Sequence, residues 1–159
     1  MNKTKEKVYS ITCFTLMLDQ LIKAIVKSNL TLNEEIIVIK NFFSILYVKN
    51  KGAAFSILSN QTFLLIIISI FIIFILDRFI TKEKNLNKVT LISIGFILGG
   101  IFGNLIDRIL SKGVIDYLSF TIFNYSFPIF NLADIAITLG VLVLIINILK
   151  EELKSKKKK

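Results

Sequence analysis

Residues 103–134 read GNLIDRILSKGVIDYLSFTIFNYSFPIFNLAD, and acidic and amide side chains here interrupt two long apolar runs. Asp107 lies near the end of one run, Asp116 between the two runs, and Asp134 near the start of the other. Unpaired charges are expensive to bury beside membrane helices, so such a cluster indicates a functional site. We interpret Asp116 and Asp134 as a catalytic pair of carboxylates. Because spacing alone does not show which carboxylates meet, Asp107 remains an equally acidic alternative.

The chain as a whole is apolar enough to lie in a membrane. It has 159 residues, 54% of them hydrophobic, and a mean hydropathy of +0.73, whereas soluble domains contain about 45–50% apolar residues. About 20 apolar residues span a membrane as a helix, and four stretches reach this length: about 8–27, 62–80, 89–110 and 129–149. We therefore predict an all-α integral membrane protein with four transmembrane helices, forming a single membrane-embedded catalytic domain over residues 1–159.

The net charge of +9 depends for its meaning on where the basic residues lie. If the four helices alternate in direction, thirteen of the twenty Lys and Arg residues fall on one side of the membrane. By the positive-inside rule that side is cytoplasmic, so both termini are expected inside and residues 28–61 and 111–128 outside. These basic residues flank membrane helices and suit anionic lipids, so we expect membrane lipids and no nucleic acid as partners. They are Lys3, Lys5, Lys7, Arg78, Lys82, Lys84, Lys88, Lys150, Lys154 and Lys156 to Lys159.

The chain has no His and one Cys, Cys13. A Ser-His-Asp or Cys-His catalytic arrangement needs an imidazole, and so does a His-bearing zinc site. We expect no metal and no organic cofactor, and we expect Cys13 to be a small buried hydrophobic residue. Any acid/base chemistry must then use carboxylates, Lys or Tyr.

Asp19 and Lys23 interrupt the outer part of the first apolar stretch. Four residues apart on a helix, they share one face and can pair, with the Lys side chain snorkelling outward. We interpret them as a structural ion pair, with support of an active site as the alternative. They also argue against a cleaved signal peptide, because they continue the segment and no small-residue cleavage site follows it.

The pattern of residues from about 31 to 58 predicts a small extracytoplasmic β-sheet on the outer membrane surface. Ile36–Ile39 and Phe42–Val48 are rich in β-formers and are separated by a polar break. Asn50 and Gly52 follow, where an amide and a small residue permit a peptide to bind through main-chain hydrogen bonds. An ordinary surface hairpin is the alternative. Residues 114–120 predict a further short extended segment, part of the outer loop.

The third and fourth stretches carry further polar residues. Glycines recur every fourth residue over 95–103 and predict a groove against which another helix packs closely. After them come Asn104, Asp107 and Arg108. We interpret Asp107 and Arg108 as a paired structural charge set, with support of the catalytic carboxylates as the alternative, and Asn104 as a neutral group that can orient the carboxylates. In the fourth stretch, Asn131 and Asp134 share one helical face with Thr138, and this face is predicted to point into the bundle.

Two neighbouring carboxylates have a defined chemistry. They do not both ionise easily, so they share one proton and one pKa is raised. The ionised member can then take a proton from water while the protonated member polarises a carbonyl, which is the logic of aspartic proteases.

The polar residues fall into five motifs that resemble those of bacterial lipoprotein signal peptidase (signal peptidase II), over roughly residues 14–140. In chain order they are Asp19-Gln20 with Lys23; Asn50-x-Gly52-Ala53-Ala54-Phe55; Gly103-Asn104-Leu105-Ile106-Asp107-Arg108; Val114-Ile115-Asp116-Tyr117; and Phe127-Pro128-Ile129-Phe130-Asn131-Leu132-Ala133-Asp134. Tyr117 stands where Phe is commoner in the family.

The resemblance implies an intramembrane aspartic endopeptidase of the bacterial cytoplasmic (inner) membrane. The distribution of basic residues places its site near the outer face, and we expect a monomer. Its substrates would be diacylglyceryl-modified prolipoproteins, cut before the lipidated cysteine, and globomycin-type peptide antibiotics would bind it. The family's catalytic aspartates map onto Asp116 and Asp134. Its supporting or substrate-binding residues map onto Asn50, Gly52, Asn104, Asp107, Arg108 and Asn131.

Two other classes of protein also use intramembrane carboxylates or apolar surfaces. A small ion-coupled transporter needs polar residues that continue through the membrane, but the second stretch and the inner halves of the others have almost none. A structural lipid-surface protein leaves the clustered Asp and Asn residues without a purpose. The peptidase interpretation accounts for both the cluster and its position.

Overall fold

The computed structural model describes residues 3–52, 58, 60–83, 86–123 and 125–156. Within these residues the chain forms four long helices and one four-stranded antiparallel sheet with strand order β1-β2-β3-β4. The helices are α1 (Lys3–Asn29), α2 (Thr62–Lys82), α3 (Lys88–Ser111) and α4 (Leu132–Lys156). The strands are β1 (Glu35–Ile39), β2 (Phe43–Asn50), β3 (Val114–Ile122) and β4 (Tyr125–Ser126).

All four helices are long and apolar enough to cross a membrane, which confirms the predicted fold class. α4 begins later than the apolar stretch does, because the residues before it stay extended and join the sheet. Phe130 forms an isolated bridge with Leu118 of β3, whose backbone N donates to the Phe130 oxygen at 2.8 Å. α1 and α4 also continue beyond the apolar stretches into polar residues at the chain ends.

Hydrogen bonds between helix ends show that the helices alternate in direction. Asp77, near the end of α2, accepts from Lys5 at 2.9 Å and from Tyr9 at 2.5 Å, both near the start of α1. Asn87, which caps the start of α3, donates to Glu151 near the end of α4. The starts of α1 and α3 therefore meet the ends of α2 and α4 at one end of the bundle, and the sheet lies at the other.

α3 is the central helix, and its glycines set its distance from α1. A Cβ built at Gly99 would lie 2.5 Å from Cβ of Thr15, and one built at Gly103 would collide with the carboxylate of Asp19. The predicted groove is therefore present, and α1 packs into it. α2 and α4, by contrast, turn most of their apolar side chains outward, as helices surrounded by lipid do.

The sheet is larger than the sequence indicates. β2 and the predicted extended segment β3 are paired, with Val48 opposite Asp116 and Asn50 opposite Val114. Two strands of the sheet, β1 and β2, come from the β region predicted for about 31–58, and the other two, β3 and β4, come from residues 114–126. Residues 53–57 of the predicted region lie outside the described part of the chain. Local patterning predicts extended backbone, but it does not reveal a partner strand far away in sequence.

The sheet is anchored to the bundle by a small apolar cluster. Val26 and Leu30, at the end of α1, are buried together with Ile115 and Tyr117 of β3. This contact fixes the strand that carries Asp116 against the helix that carries Asp19 and Lys23.

The sequence predicts that Cys13 is buried. This prediction is wrong, because Cys13 is exposed on α1. Phe14 and Met17 are exposed beside it. This face of α1 points away from α3, so a membrane surrounds it with lipid.

Candidate active site

Asp116 and Asp134 line the same cavity of about 990 Å³ at the sheet end of the bundle. Asp116 lies in β3 and is 2% exposed, while Asp134 lies in the first turn of α4 and is half-buried. The structure therefore brings the two predicted carboxylates together from separate elements.

Asn131 connects the two aspartates. Its Nδ2 donates to Asp116 Oδ1 at 2.7 Å, and its backbone N donates to Asp134 Oδ2 at 3.2 Å. Its Oδ1 accepts from the backbone N of Asp134 at 3.0 Å, so the two residues cap the start of α4 reciprocally. The predicted shared face of Asn131 and Asp134 is thus a helix cap, which fixes one aspartate while the amide reaches the other.

Asn50 and Asn104 supply the remaining amide donors. Asn50 Nδ2 donates to Asp116 Oδ2 at 3.0 Å, while its Oδ1 accepts from the backbone N of Gly52 at 2.8 Å. Asn104 Nδ2 donates to Asp134 Oδ1 at 2.8 Å. Every carboxylate oxygen of the pair therefore accepts an N–H hydrogen bond.

This environment changes the acidity of Asp116. Burial, followed by the negative charge of Asp134, raises the pKa of Asp116 to about 7, although the amide donors of Asn50 and Asn131 act in the opposite direction. A carboxyl group with such a pKa is partly protonated at neutral pH. The pair can therefore hold one proton and one negative charge, as acid/base catalysis on a carbonyl requires.

Asp107 and Arg108 are adjacent in sequence but have different partners, contrary to the expectation that they form a pair. Asp107 Oδ2 lies 2.9 Å from Lys23 Nζ and accepts from the backbone N of Ile115 at 3.1 Å. Arg108 lines the cavity and donates to the backbone oxygens of Gly52 at 3.2 Å and Asn104 at 3.3 Å. Asp107 thus holds the start of β3, while Arg108 holds the segment that follows β2.

Asp19 and Lys23 form the predicted ion pair, with Nζ and Oδ2 2.8 Å apart. The predicted snorkelling of Lys23 is wrong, because its side chain is 2% exposed and lies inside the bundle. Close packing of α1 at Gly103 brings the ammonium within reach of acceptors on α3. Its charge is therefore matched internally instead of by water.

Gln20 is part of the site region but was not among the predicted site residues. Its Nε2 lies 3.3 Å from Asp19 Oδ2, 3.2 Å from Asp107 Oδ1 and 3.2 Å from the Gly103 oxygen. The signal in the sequence is an amide directly beside Asp19 in an apolar helix.

The walls of the cavity combine apolar and basic groups. Thr138, predicted to share the face of Asp134, lines the cavity. Lys49 and Lys51 contribute basic side chains that the sequence did not single out. The apolar wall comprises Val48, Val114, Phe127, Pro128, Ile129, Phe130, Ile135, Ile137 and Leu139. The carboxylates thus face a space with both apolar walls and hydrogen-bonding groups.

The chain is similar to known proteins over almost its whole length. The family described as Signal peptidase (SPase) II matches residues 11–150. A lipoprotein signal peptidase of Halothermothrix orenii is 40% identical over 145 residues, which cover 91% of this chain and 97% of that protein. A lipoprotein signal peptidase of Staphylococcus aureus (strain JH9) is 37% identical over 148 residues, which cover 93% and 91% of the two chains.

Two solved structures of bacterial membrane enzymes share the fold, each with 36% sequence identity. One superposes with a TM-score of 0.87 and covers 96% of this chain and 93% of its own. The other superposes with a TM-score of 0.80 and covers 90% and 92%.

Proposed function

Since the chain belongs to the signal peptidase II family of bacterial membrane peptidases, which process lipoproteins, we propose that it acts as an aspartic endopeptidase. In this proposal it removes the signal peptide of diacylglyceryl-modified prolipoproteins and cuts before the lipidated cysteine. Asp116 and Asp134 activate the attacking water and polarise the scissile carbonyl.

The observation that carries the proposal is the hydrogen bonding of Asn131 to both aspartates beside the cavity. One amide residue thereby fixes the positions of both carboxylates, and the raised pKa of Asp116 lets the pair keep one proton. Positioned acid/base groups of this kind typically contribute about 10²- to 10⁴-fold in rate.

The cavity suits an extended lipid-modified peptide. Its apolar side chains from α4 and from residues 127–130 can contact acyl chains. Arg108 and Asn50 hold the backbone of Gly52 beside the carboxylates. We assign supporting or substrate-binding roles to Asn50, Gly52, Asn104, Asp107, Arg108 and Asn131. Globomycin-type peptides would compete for the same space.

The orientation in the membrane follows from the basic residues. Lys5, Lys82, Lys88 and Lys154 belong to helix ends that lie away from the sheet. By the positive-inside rule we place that end and both termini in the cytoplasm, and the aspartates near the outer face of the inner membrane. Among the described residues, α1, α3, α4 and the sheet together supply both carboxylates and the groups that hold them. We propose that residues 1–159 are one catalytic domain and that the monomer is active.

The proposal is tested with the purified protein and a precursor supplied with and without its diacylglyceryl group. We expect cleavage of the modified precursor alone, and loss of cleavage in Asp116→Asn and in Asp134→Asn. Asp77→Asn is the matched control, because Asp77 lies at the opposite end of the bundle and pairs with Lys5. Cleavage retained by either site variant would exclude the two-aspartate mechanism.

A further inference from the structure

The three asparagines at the carboxylates each have a defined amide orientation. In Asn50 the side-chain oxygen accepts from the backbone N of Gly52, and in Asn131 it accepts from the backbone N of Asp134. A backbone N–H can only donate, so both amides must turn their NH₂ groups toward the carboxylates. Asn104 is different, because the group that orients it is the side chain of Lys23, at 3.1 Å.

Lys23 is fully engaged by three acceptors. Its Nζ lies 2.8 Å from Asp19 Oδ2, 2.9 Å from Asp107 Oδ2 and 3.1 Å from Asn104 Oδ1. An ammonium group has three donors and no acceptor. Two carboxylates already surround this single positive charge. The contact with Asn104 is therefore not needed to neutralise it.

This contact determines what Asn104 presents to Asp134. With Oδ1 held by the ammonium, Nδ2 donates to Asp134 Oδ1 at 2.8 Å. The flipped amide would place NH₂ against the ammonium and oxygen against the carboxylate, two repulsive contacts. Asn131 Nδ2 also lies 3.2 Å from Asn104 Oδ1, but it has a shorter bond of 2.7 Å to Asp116. Lys23 is therefore the principal group that orients Asn104.

The two carboxylates are unequal in the support they receive for a negative charge. Asp134 lies in the first turn of α4, where the helix dipole favours an anion, and it is half-buried. Arg108 interacts with the charges of both aspartates, more strongly with that of Asp134. Asp116 lies in a strand and is 2% exposed, which disfavours its ionised form. Each carboxylate accepts two N–H hydrogen bonds, so without Asn104 the carboxylate of Asp134 would keep only one, against two at Asp116.

We propose that Lys23 is a positioning residue for the reaction: by orienting Asn104 it keeps Asp134 ionised as the base and leaves the shared proton on Asp116. This inference rests on the proposed function. Asp134 takes a proton from water as the water oxygen bonds to the scissile carbonyl carbon, and Asp116 gives its proton to the carbonyl oxygen. On collapse, Asp134 protonates the leaving nitrogen as the C–N bond breaks, and Asp116 recovers a proton from the diol.

Several other charged or titratable groups lie around this pair and also influence its charge state. They are Asp19 and Lys23 from α1, Asp107 and Arg108 from α3, Tyr117 from β3, Lys49 from β2, and Lys51 just after β2. Of these, Lys23 is the one that acts on Asp134 through an amide. Its charge also lowers the pKa of Asp116, but less than burial and the charge of Asp134 raise it.

A double-mutant cycle tests the proposal, using Lys23→Met, Asn104→Leu and both together in the full chain. For a diacylglyceryl-modified precursor, we expect each single change to lower kcat about 10- to 100-fold, with KM changed less than about threefold. Because Lys23 acts through Asn104, the kcat of the double variant should lie within about threefold of the kcat of the less active single variant. Single effects that multiply would overturn the proposal.

The pH profile separates positioning from structural support. In Lys23→Met and in Asn104→Leu, the acid limb of kcat should move to higher pH, because the ionised base loses its donor. Gln20→Met is the matched control, since Gln20 contacts Asp19 and Asp107 in the same cluster while Asn104 keeps its contacts. A shift of the same size in Gln20→Met would overturn the proposal.

Lys23→Met leaves Asp19 and Asp107 without their cation and can prevent folding. In that case the cycle is repeated in an Asp107→Asn background, which removes one of the two charges, and the same coupling is expected. Failure of the proposed function looks different. Either the unaltered protein does not cleave the modified precursor, or Asp116→Asn remains active, whereas failure of this inference leaves both results intact and removes only the coupling.

Discussion

Asn50 and Asp116 meet diagonally across the β2–β3 pair, with amide Nδ2 3.0 Å from carboxylate Oδ2. This donor holds down the pKa of Asp116, which burial raises to about 7. Asn50→Leu should therefore raise that pKa further. If Asp116 holds the proton, the alkaline limb of kcat moves to higher pH by about one to two units, because a hydrogen bond to a charged group is worth about 1.5–3 kcal/mol.

Steady-state cleavage between pH 5 and 9 measures this shift. Asn29→Leu is a suitable control, because Asn29 donates to the Ile25 oxygen at the exposed end of α1. An alkaline limb that stays in place, or moves to lower pH, would contradict the assignment of the proton to Asp116.

Asp116→Asn should remove a loss of stability that the unaltered protein undergoes as pH rises from about 4 to 7. In the native state the pKa of Asp116 is about 7, against a reference value of 3.8, so the folded state binds this proton more tightly than the unfolded state. The stability that the group contributes is present below about pH 4 and is lost as pH rises through 7. The loss is at most on the order of 4 kcal/mol.

Thermal unfolding in detergent at pH 5 and pH 8 tests this expectation. The Tm of the variant minus that of the unaltered protein should be larger at pH 8 than at pH 5. A Tm difference that does not depend on pH would mean that Asp116 is not destabilised by ionisation.

Asn131→Ala should reduce both stability and catalysis. It removes the cap of α4, worth about 1 kcal/mol, and it removes the donor to Asp116, so we expect kcat to fall by about 100-fold or more. Asn87→Ala is the matched control, because Asn87 caps α3 through Thr90 at the opposite end. If both variants lose activity equally, capping and not the link to Asp116 explains the effect.

Gly103→Ala should displace Asp19, whose carboxylate occupies the space that the new methyl group needs. Overpacking of this kind costs about 1–3 kcal/mol, and movement of α1 also withdraws Lys23 from Asn104. Gly99→Ala meets Thr15 in the same groove and should cost similar stability. We expect kcat to fall about tenfold more in Gly103→Ala than in Gly99→Ala, measured in protein shown to be folded.

Much of the fold is encoded locally. Apolar length alone identifies the four helices, since membrane thickness sets how many residues a span requires. The carboxylates and asparagines stand out for a related reason, because a polar group in an apolar helix needs a partner to offset its burial. The glycine repeat likewise predicts a close contact between helices, although it does not show which helix is the partner.

What the sequence does not reveal are contacts between distant segments. Pairing of β2 with β3 depends on loops that bring residues 43–50 and 114–122 together, and no local pattern specifies that partner. The snorkelling expected of Lys23 follows from the cost of an isolated charge, but Asp107 and Asn104 arrive from α3 and offset that cost. Asp107 and Arg108 diverge because neighbouring residues on a helix point in different directions.

The placement of Asp19 and Lys23 on one helix has a consequence for how the chain is assembled during synthesis. α1 enters the bilayer before α3 and α4 exist, so the acceptors on α3 and the Ala133 N–H that binds Asp19 are not yet available. A lone carboxylate or ammonium at that stage would resist insertion by a few kcal/mol. Because Asp19 and Lys23 are one turn apart, each can neutralise the other before the later helices are inserted. α3 and α4 then pack against a charge pair that has already formed.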